Sequence, residues 1–215
     1  MVIQMQIYLI RHGRQSSNLC NVNVDLSREG HRQAELVGER IKKYGIERLY
    51  ASTLLRAQQT AEHIAQIVKL PVITARDIHE IDFGTWTGIS DVEIDKLYYE
   101  EREAYRKGLK DIHYPEGECG VSCFERYYKG MEWIVADAKA NGALKIAVVT
   151  HGIAMRVFLC GILDIPFAKR GTLAKSLENA SITELRYEEG SYYLERFNDY
   201  AHLEPYDELL RKHFK

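Results

Sequence analysis

The stretch that most constrains the fold is Ile7-Tyr8-Leu9-Ile10-Arg11-His12-Gly13, an apolar run that stops at a cation, an imidazole and a glycine. An uninterrupted run of β-formers reads as a strand buried on both faces, and the glycine lets the backbone turn tightly at its end. Val148-Val149-Thr150-His151-Gly152 repeats the arrangement. Buried strands in open α/β sheets deliver their chemistry at the carboxyl end, where loops and helix starts meet. Either run alone is equally a strand closed by solvated polar residues. The repetition points to a site.

The rest of the chain supplies helices between such strands. After a polar loop, Ser27 is a good N-cap for a helix to Tyr44, with Ala34, Val37, Ile41 and Tyr44 at helical spacing and Gly45 closing it. Residues 46–51 read as a short strand. Ser52 and Thr53 offer an N-cap for a helix that faces a core through Leu54, Ala57, Ala61, Ile64, Ala65 and Val68, with Arg56 in its first turn. Residues 71–75 form a strand nearer an edge, since Pro71 cannot donate to a ladder. Residues 79–88 read as a loop, 90–107 as a charged, tyrosine-rich helix, 108–120 as irregular and 121–138 as a helix. Strand 144–150, helix 152–163 and a hairpin of 181–187 with 192–197 complete the pattern. Strands alternating with helices imply an α/β fold whose sheet is largely parallel and covered on both faces.

Composition narrows the partners. The 215 residues suit one domain, and a formal net charge of −2 gives no reason to expect nucleic acid or a membrane surface. Met1 to Gln6 is too short and polar for a signal peptide. The most apolar stretch, 152–167, is interrupted by Arg156 and Asp164 and is no membrane span. Cys20, Cys119, Cys123 and Cys160 form neither a CxxC pair nor a zinc pattern, so free thiols in a cytoplasmic protein are expected.

Three strand-to-helix junctions now carry groups of one kind: Arg11-His12, Ser52 to Arg56, and His151. Two arginines and two histidines at neighbouring strand ends make a small cationic pocket, and the arginine fork suits a tetrahedral oxyanion. A neutral imidazole nitrogen is a competent nucleophile, and a phosphoenzyme splits one hard displacement into two easier ones. The reaction also needs an acid for the leaving oxygen. Glu80, with apolar neighbours on both sides, is the candidate; chemistry alone leaves Asp82 open.

The ordered motifs resemble the histidine phosphatase superfamily, the phosphoglycerate mutase-like proteins. They are Leu9-Ile10-Arg11-His12-Gly13 with Asn18; Asp25-Leu26-Ser27 with Gly30; Ser52-Thr53-Leu54-Leu55-Arg56-Ala57; Glu80-Ile81-Asp82-Phe83-Gly84; Pro115-Glu116-Gly117-Glu118; Val148 to Gly152; and Asn179-Ala180-Ser181. The resemblance implies a three-layer α/β/α sandwich over residues 1–215, with a small helical insertion at 89–123 capping the site. It implies that His12 is the phosphorylated nucleophile and Glu80 the proton donor. Arg11, Arg56 and His151 would hold the phosphoryl group, and Asn18 would contact it or the substrate. No metal or cofactor is implied, and the partner is a small phosphomonoester; the oligomeric state stays open.

The resemblance is imperfect in informative places. The family usually continues Arg-His-Gly with Glu or Gln and then Thr or Ser, whereas this chain has Arg14-Gln15. An extra cation there would favour a more anionic substrate, but a solvated Arg14 is the expectation. Cys20 to Val24 replaces the Gly-Trp-containing segment usual in true mutases, and the insertion is short. These features favour the phosphatase branch. A phosphoglycerate mutase, or a silent member that binds a phosphorylated ligand or a protein, is the alternative. His31 and His63 are expected to be solvated, and His202, with Asn198-Asp199, to serve structural closure.

Overall fold

The computed structural model of the protein describes residues 4–174 and 176–211; Met1 to Ile3, half of the stretch read above as too short and polar for a signal peptide, lie outside them. In chain order the elements are β1 (Gln4–Arg11), α1 (Arg28–Lys42), β2 (Arg48–Ala51), α2 (Leu55–Val68) and β3 (Val72–Thr74). There follow α3 (Asp91–Leu97), α4 (Tyr99–Arg106), α5 (Gly120–Ala140), β4 (Lys145–Thr150), α6 (Gly152–Ile162), α7 (Arg170–Leu173), β5 (Ile182–Glu188) and β6 (Ser191–Asp199). The six strands form one sheet in the order β3-β2-β4-β1-β5-β6. Pairings from β3 to β1 are parallel, and the β5–β6 hairpin adds two antiparallel pairings.

The apolar runs are unbroken because successive side chains serve different cores. Ile7, Leu9, Ile146 and Val148 pack with α5 and α6 on one face. Tyr8, Ile10, Ala147 and Val149 pack with α1 and α2 on the other. A strand with period-two alternation between two buried faces has no polar position to spare. The helix after β1 covers one face and the helix after β4 the other, so these two adjacent strands form a switch point that opens a crevice at their carboxyl ends.

Local signals act mostly as read. Ser27 Oγ accepts the N–H of Gly30 at 3.1 Å, which caps α1, an interaction of about 1 kcal/mol. At position 30 a β-carbon would lie 2.0 Å from the carbonyl oxygen of Arg14, so glycine alone allows α1 to pack on the loop after His12.

Several expectations are corrected. Ser52 and Thr53 do not cap α2: its N-cap is Leu54, without a side-chain bond, because the fully buried Ser52 hydroxyl engages His151 at 2.7 Å. The single helix expected over 90–107 is two, broken at Tyr98, whose backbone leaves the helical region (φ −130°, ψ 41°) as its ring packs on Trp86 at 5.2 Å. His31 and His63 are not solvated. They are half-buried between α1 and α2, with Nδ1 of one 2.9 Å from Nε2 of the other. All four cysteines are free. Among the described residues no helix is long and apolar enough to cross a membrane.

Candidate active site

The parallel register brings the three junctions together. Arg11 pairs with Thr150, and Ala51 with Val149. The next residue in each chain segment then continues the ladder: His12 N–H donates to Thr150 O and Ser52 N–H to Val149 O, both at 3.0 Å. His12 and His151 therefore emerge side by side, with ring centroids 5.1 Å apart.

The network assigns the tautomer of His12. Its Nδ1 lies 2.7 Å from the carbonyl oxygen of Gly13; a carbonyl only accepts, so Nδ1 carries the proton. Nε2 is then the lone-pair nitrogen, and it accepts from Arg56 Nε at 3.2 Å. Burial, followed by the charges of Arg56 and Arg11, holds the imidazole pKa well below its ordinary value. The neutral form is the one present at pH 7. The residue's backbone is pinned as well: Asn179 Nδ2 donates to His12 O at 3.0 Å, and Thr60 Oγ1 accepts the N–H of Gly13 at 3.0 Å.

Arg56 is buried in the first turns of α2 and is aimed by the loop after β1. Its Nη1 donates to Val22 O at 3.0 Å and its Nη2 to Asn21 Oδ1 at 2.8 Å. Arg11 donates to the carbonyl of Leu177 and packs against Gly152, where a β-carbon would stand 3.1 Å from Nε. Burial, then the neighbouring Arg211, pushes its pKa down to about 9. His151 is fully buried, and burial, then Arg56 and His12, holds its pKa well below the ordinary value. Among the described residues, neither its Nδ1 nor Arg11 Nε, both buried, has a hydrogen-bond partner. Buried donors and acceptors are nearly always paired, and these two nitrogens are available to a ligand at this corner.

Glu80 reaches the same corner from the loop between β3 and α3. Its Oε1 accepts from Ile81 N–H at 2.9 Å and Ala154 N–H at 2.7 Å, while Oε2 accepts from Ile153 N–H at 3.2 Å. The carboxyl group is thus seated on the N-terminus of α6, held in place by three backbone N–H groups. Asp82 is exposed and its oxygen turns back to Gly84 N–H, away from this cluster.

Outside His12 lies a cleft of about 720 Å³ whose walls include Arg11, Asn18, Asp91 and Asn179. The structure therefore gathers Arg11, His12, Arg56, Glu80 and His151 into one buried cluster and leaves Asn18 exposed at the mouth. Asn21, Ser52 and Asn179, which hold the cluster in place, carry no local signal of that role. Arg14 is not solvated: its Nη2 donates to the carbonyls of Leu209 and Leu210 at 2.9 and 3.2 Å.

A strand-end histidine braced by two arginines, a second histidine and a helix-capping glutamate, on a mixed α/β sheet, defines a phosphoryl-handling enzyme. Residues 7–200 match the histidine phosphatase superfamily (branch 1), and the chain belongs to that family. It is 33% identical over 214 residues to a probable phosphoglycerate mutase GpmB of Proteus mirabilis, covering 93% of this chain and 95% of that one. It is 27% identical to phosphoserine phosphatase 1 of Hydrogenobacter thermophilus, over 93% of this chain and 94% of that protein. Among solved structures, a mycobacterial glucosyl-3-phosphoglycerate phosphatase with inorganic phosphate superposes with a TM-score of 0.81 at 24% identity, covering 92% and 99% of the two chains. A phosphoserine phosphatase variant from Entamoeba histolytica, in complex with phosphoserine, gives 0.75 at 25% identity, covering 93% and 99%.

Proposed function

We propose that the protein is a phosphomonoesterase that works without a metal, through a phosphohistidine on Nε2 of His12. The observation that carries this reading is the assigned tautomer: the lone pair is on the nitrogen that faces Arg56, in a residue kept neutral by its surroundings. In the first step Nε2 attacks phosphorus, the P–O ester bond breaks, and the leaving alkoxide takes a proton from Glu80. Oε2, which among the described residues accepts a single 3.2 Å hydrogen bond, is the oxygen free to carry that proton. Arg56 exchanges its bond to the lone pair for one to a phosphoryl oxygen, and Arg11 and His151 bring their unpaired nitrogens to the others. Such preorganised donors stabilise the charge spread over the equatorial oxygens. In the second step water attacks phosphorus, the P–N bond breaks, and Glu80 accepts the water's proton. Asn18 contacts substrate at the mouth, and residues 89–123 act as a cap on a single catalytic unit. The unpaired thiols support a cytoplasmic setting.

The similarity to a probable phosphoglycerate mutase favours one second reading, in which the phosphoryl group returns to a bound sugar acid instead of water. The test is phosphate release from a panel of phosphomonoesters with chelator present and His12→Ala alongside, together with isomerisation of 3-phosphoglycerate primed by its bisphosphate. Release that survives chelator and vanishes in the variant supports the phosphatase. Isomerisation without release supports the mutase. Silence in both, from folded protein, supports a binding role.

A further inference from the structure

The proposed chemistry uses Arg11 and Arg56, yet two more arginines line the same cleft, Arg14 and Arg211. The guanidinium of Arg14 is occupied with the backbone of Leu209 and Leu210. Gln33 of α1 joins it, accepting Arg14 N–H at 2.8 Å and donating to Leu209 O at 2.7 Å. Both oxygens of Glu178 then accept the backbone N–H of Arg211 at 3.2 Å. Side chains from three separate parts of the chain thus seat residues 209–211 against the cleft, and Leu209 is buried beneath them.

What this seating delivers is the side chain of Arg211. It is half-buried on the cleft wall with Arg11 and His12, and among the described residues its guanidinium makes no hydrogen bond and no ion pair. Its charge is close enough to weaken proton binding at both Arg11 and His12. Its electrostatic neighbours are Glu178 and Asp91 of opposite sign and Arg14 and Arg156 of like sign, and burial outweighs them all in disfavouring the cation. Asp91 and Glu208, the carboxylates lining the cleft, are exposed and therefore screened by solvent. A partly desolvated guanidinium with no partner among the described residues, carried on a seated backbone beside a phosphoryl site, is costly unless an anion meets it.

We infer that Arg211 binds a second anionic group of the substrate, a carboxylate or a phosphate a few bonds from the transferred phosphoryl group, and that Arg14 is the positioning residue that holds it there. The inference rests on the phosphomonoesterase reading and narrows it: the substrates are phosphate esters of small acids, or bisphosphates, and not esters of neutral alcohols.

Matched substrates test it: 3-phosphoglycerate against glycerol 3-phosphate, and fructose 1,6-bisphosphate against fructose 6-phosphate. A charge-assisted contact of this kind is worth roughly tenfold or more in kcat/KM. The wild type should prefer the more anionic member of at least one pair by about that factor, chiefly through KM. Arg211→Ala should erase the preference, Arg211→Lys should keep part of it, and Arg14→Gln should weaken it without adding to the Arg211→Ala effect. Preference in the first pair alone assigns a carboxylate; in the second alone, a phosphate. A wild type without preference, or an Arg211→Ala variant that slows both members equally, overturns the inference. Where no ester is turned over, calorimetric binding of the same pairs to His12→Ala decides. A preference that Arg211→Ala abolishes in that background upholds the anion site while the phosphatase reading fails; no preference, or one untouched by the change, overturns the site as well.

Discussion

Replacing Asn21 by aspartate tests whether the charge of Arg56 controls the proton affinity of His12. The side chain accepts from Arg56 Nη2 at 2.8 Å, and Arg56 Nε in turn donates to His12 Nε2 at 3.2 Å. The exchange is isosteric and keeps the acceptor, giving up only the long 3.5 Å donation from Asn21 Nδ2 to Ile81 O, while one negative charge is added behind the guanidinium. At roughly 7 Å from the imidazole, and with an effective dielectric constant of about 20, that charge favours the imidazolium by ~2 kcal/mol, or ~1.5 pKa units. The sign follows from the native state: His12 is held well below the ordinary histidine value by burial and then by Arg56. Partial neutralisation of Arg56 therefore raises the His12 pKa. Attack requires the neutral ring, so the acid limb of the kcat/KM profile should move to higher pH by about 1–2 units. Asn21→Ala is the control. It removes the acceptor without adding charge, so its acid limb should stay near that of the wild type. Its plateau should fall by roughly tenfold, the worth of a hydrogen bond to a charged donor. The assay is a pH–rate profile on an aryl phosphate, with thermal melts to confirm folding. Superimposable profiles for Asn21→Asp and the wild type, or equal displacement by alanine and aspartate, would refute the reasoning.

Three further outcomes are expected. Gly30→Ala places a methyl 2.0 Å from the Arg14 carbonyl oxygen and should cost about 3 kcal/mol, lowering Tm by ~6–12 °C in a differential scan; an unchanged Tm would mean that the loop after His12 yields freely. Burial depresses the pKa of His12 and His151, and that of His202 to about 4, so the unfolded chain binds protons below pH ~6.5 that the native state refuses. Stability is then complete above that pH and lost below it, at ~1.4 kcal/mol per group per pH unit. Urea unfolding should show a loss of ~3 kcal/mol between pH 6.5 and 5.5, since the unfolded histidines are already half protonated at the upper value, and equal midpoints at the two pH values would contradict it. Glu80→Gln should slow alkyl phosphates far more than activated aryl phosphates, because only the poor leaving group needs the proton; equal slowing would remove Glu80 from the acid role.

The features that sequence patterning reveals are those whose cause is local. Strand β1 and its His-Gly end, the Ser27 cap and the β5–β6 hairpin each depend on neighbours within a few residues, and parallel pairing then places any strand-end group at one edge of the sheet. Arg11, His12 and His151 follow from that rule alone. Ser52 shows where it stops. Its side chain could serve as a cap for the N–H groups two or three residues on or as a partner to His151, and only the packing of β2 beside β4 decides between them. The His31–His63 pair is invisible for the same reason: each histidine lies on the polar side of its own helix, and the contact exists because α1 and α2 lie together.

Arg14 is the extreme case. A second arginine beside a strand end reads as solvated, since surface arginines are common, and nothing within its own segment argues otherwise. Its partners are the carbonyls of Leu209 and Leu210, some 195 residues away. Backbone carbonyls leave no trace in side-chain identity, so no pattern at 209–210 could announce the pairing. The consequence for specificity is general. Residues that would act on the phosphoryl group stand at strand ends or in the helix starts and loops that follow them, where the fold itself brings them together. Residues that recognise the rest of the substrate can come from any segment that reaches the crevice, and their meaning is set by whatever side chain, here Arg14, brings that segment in.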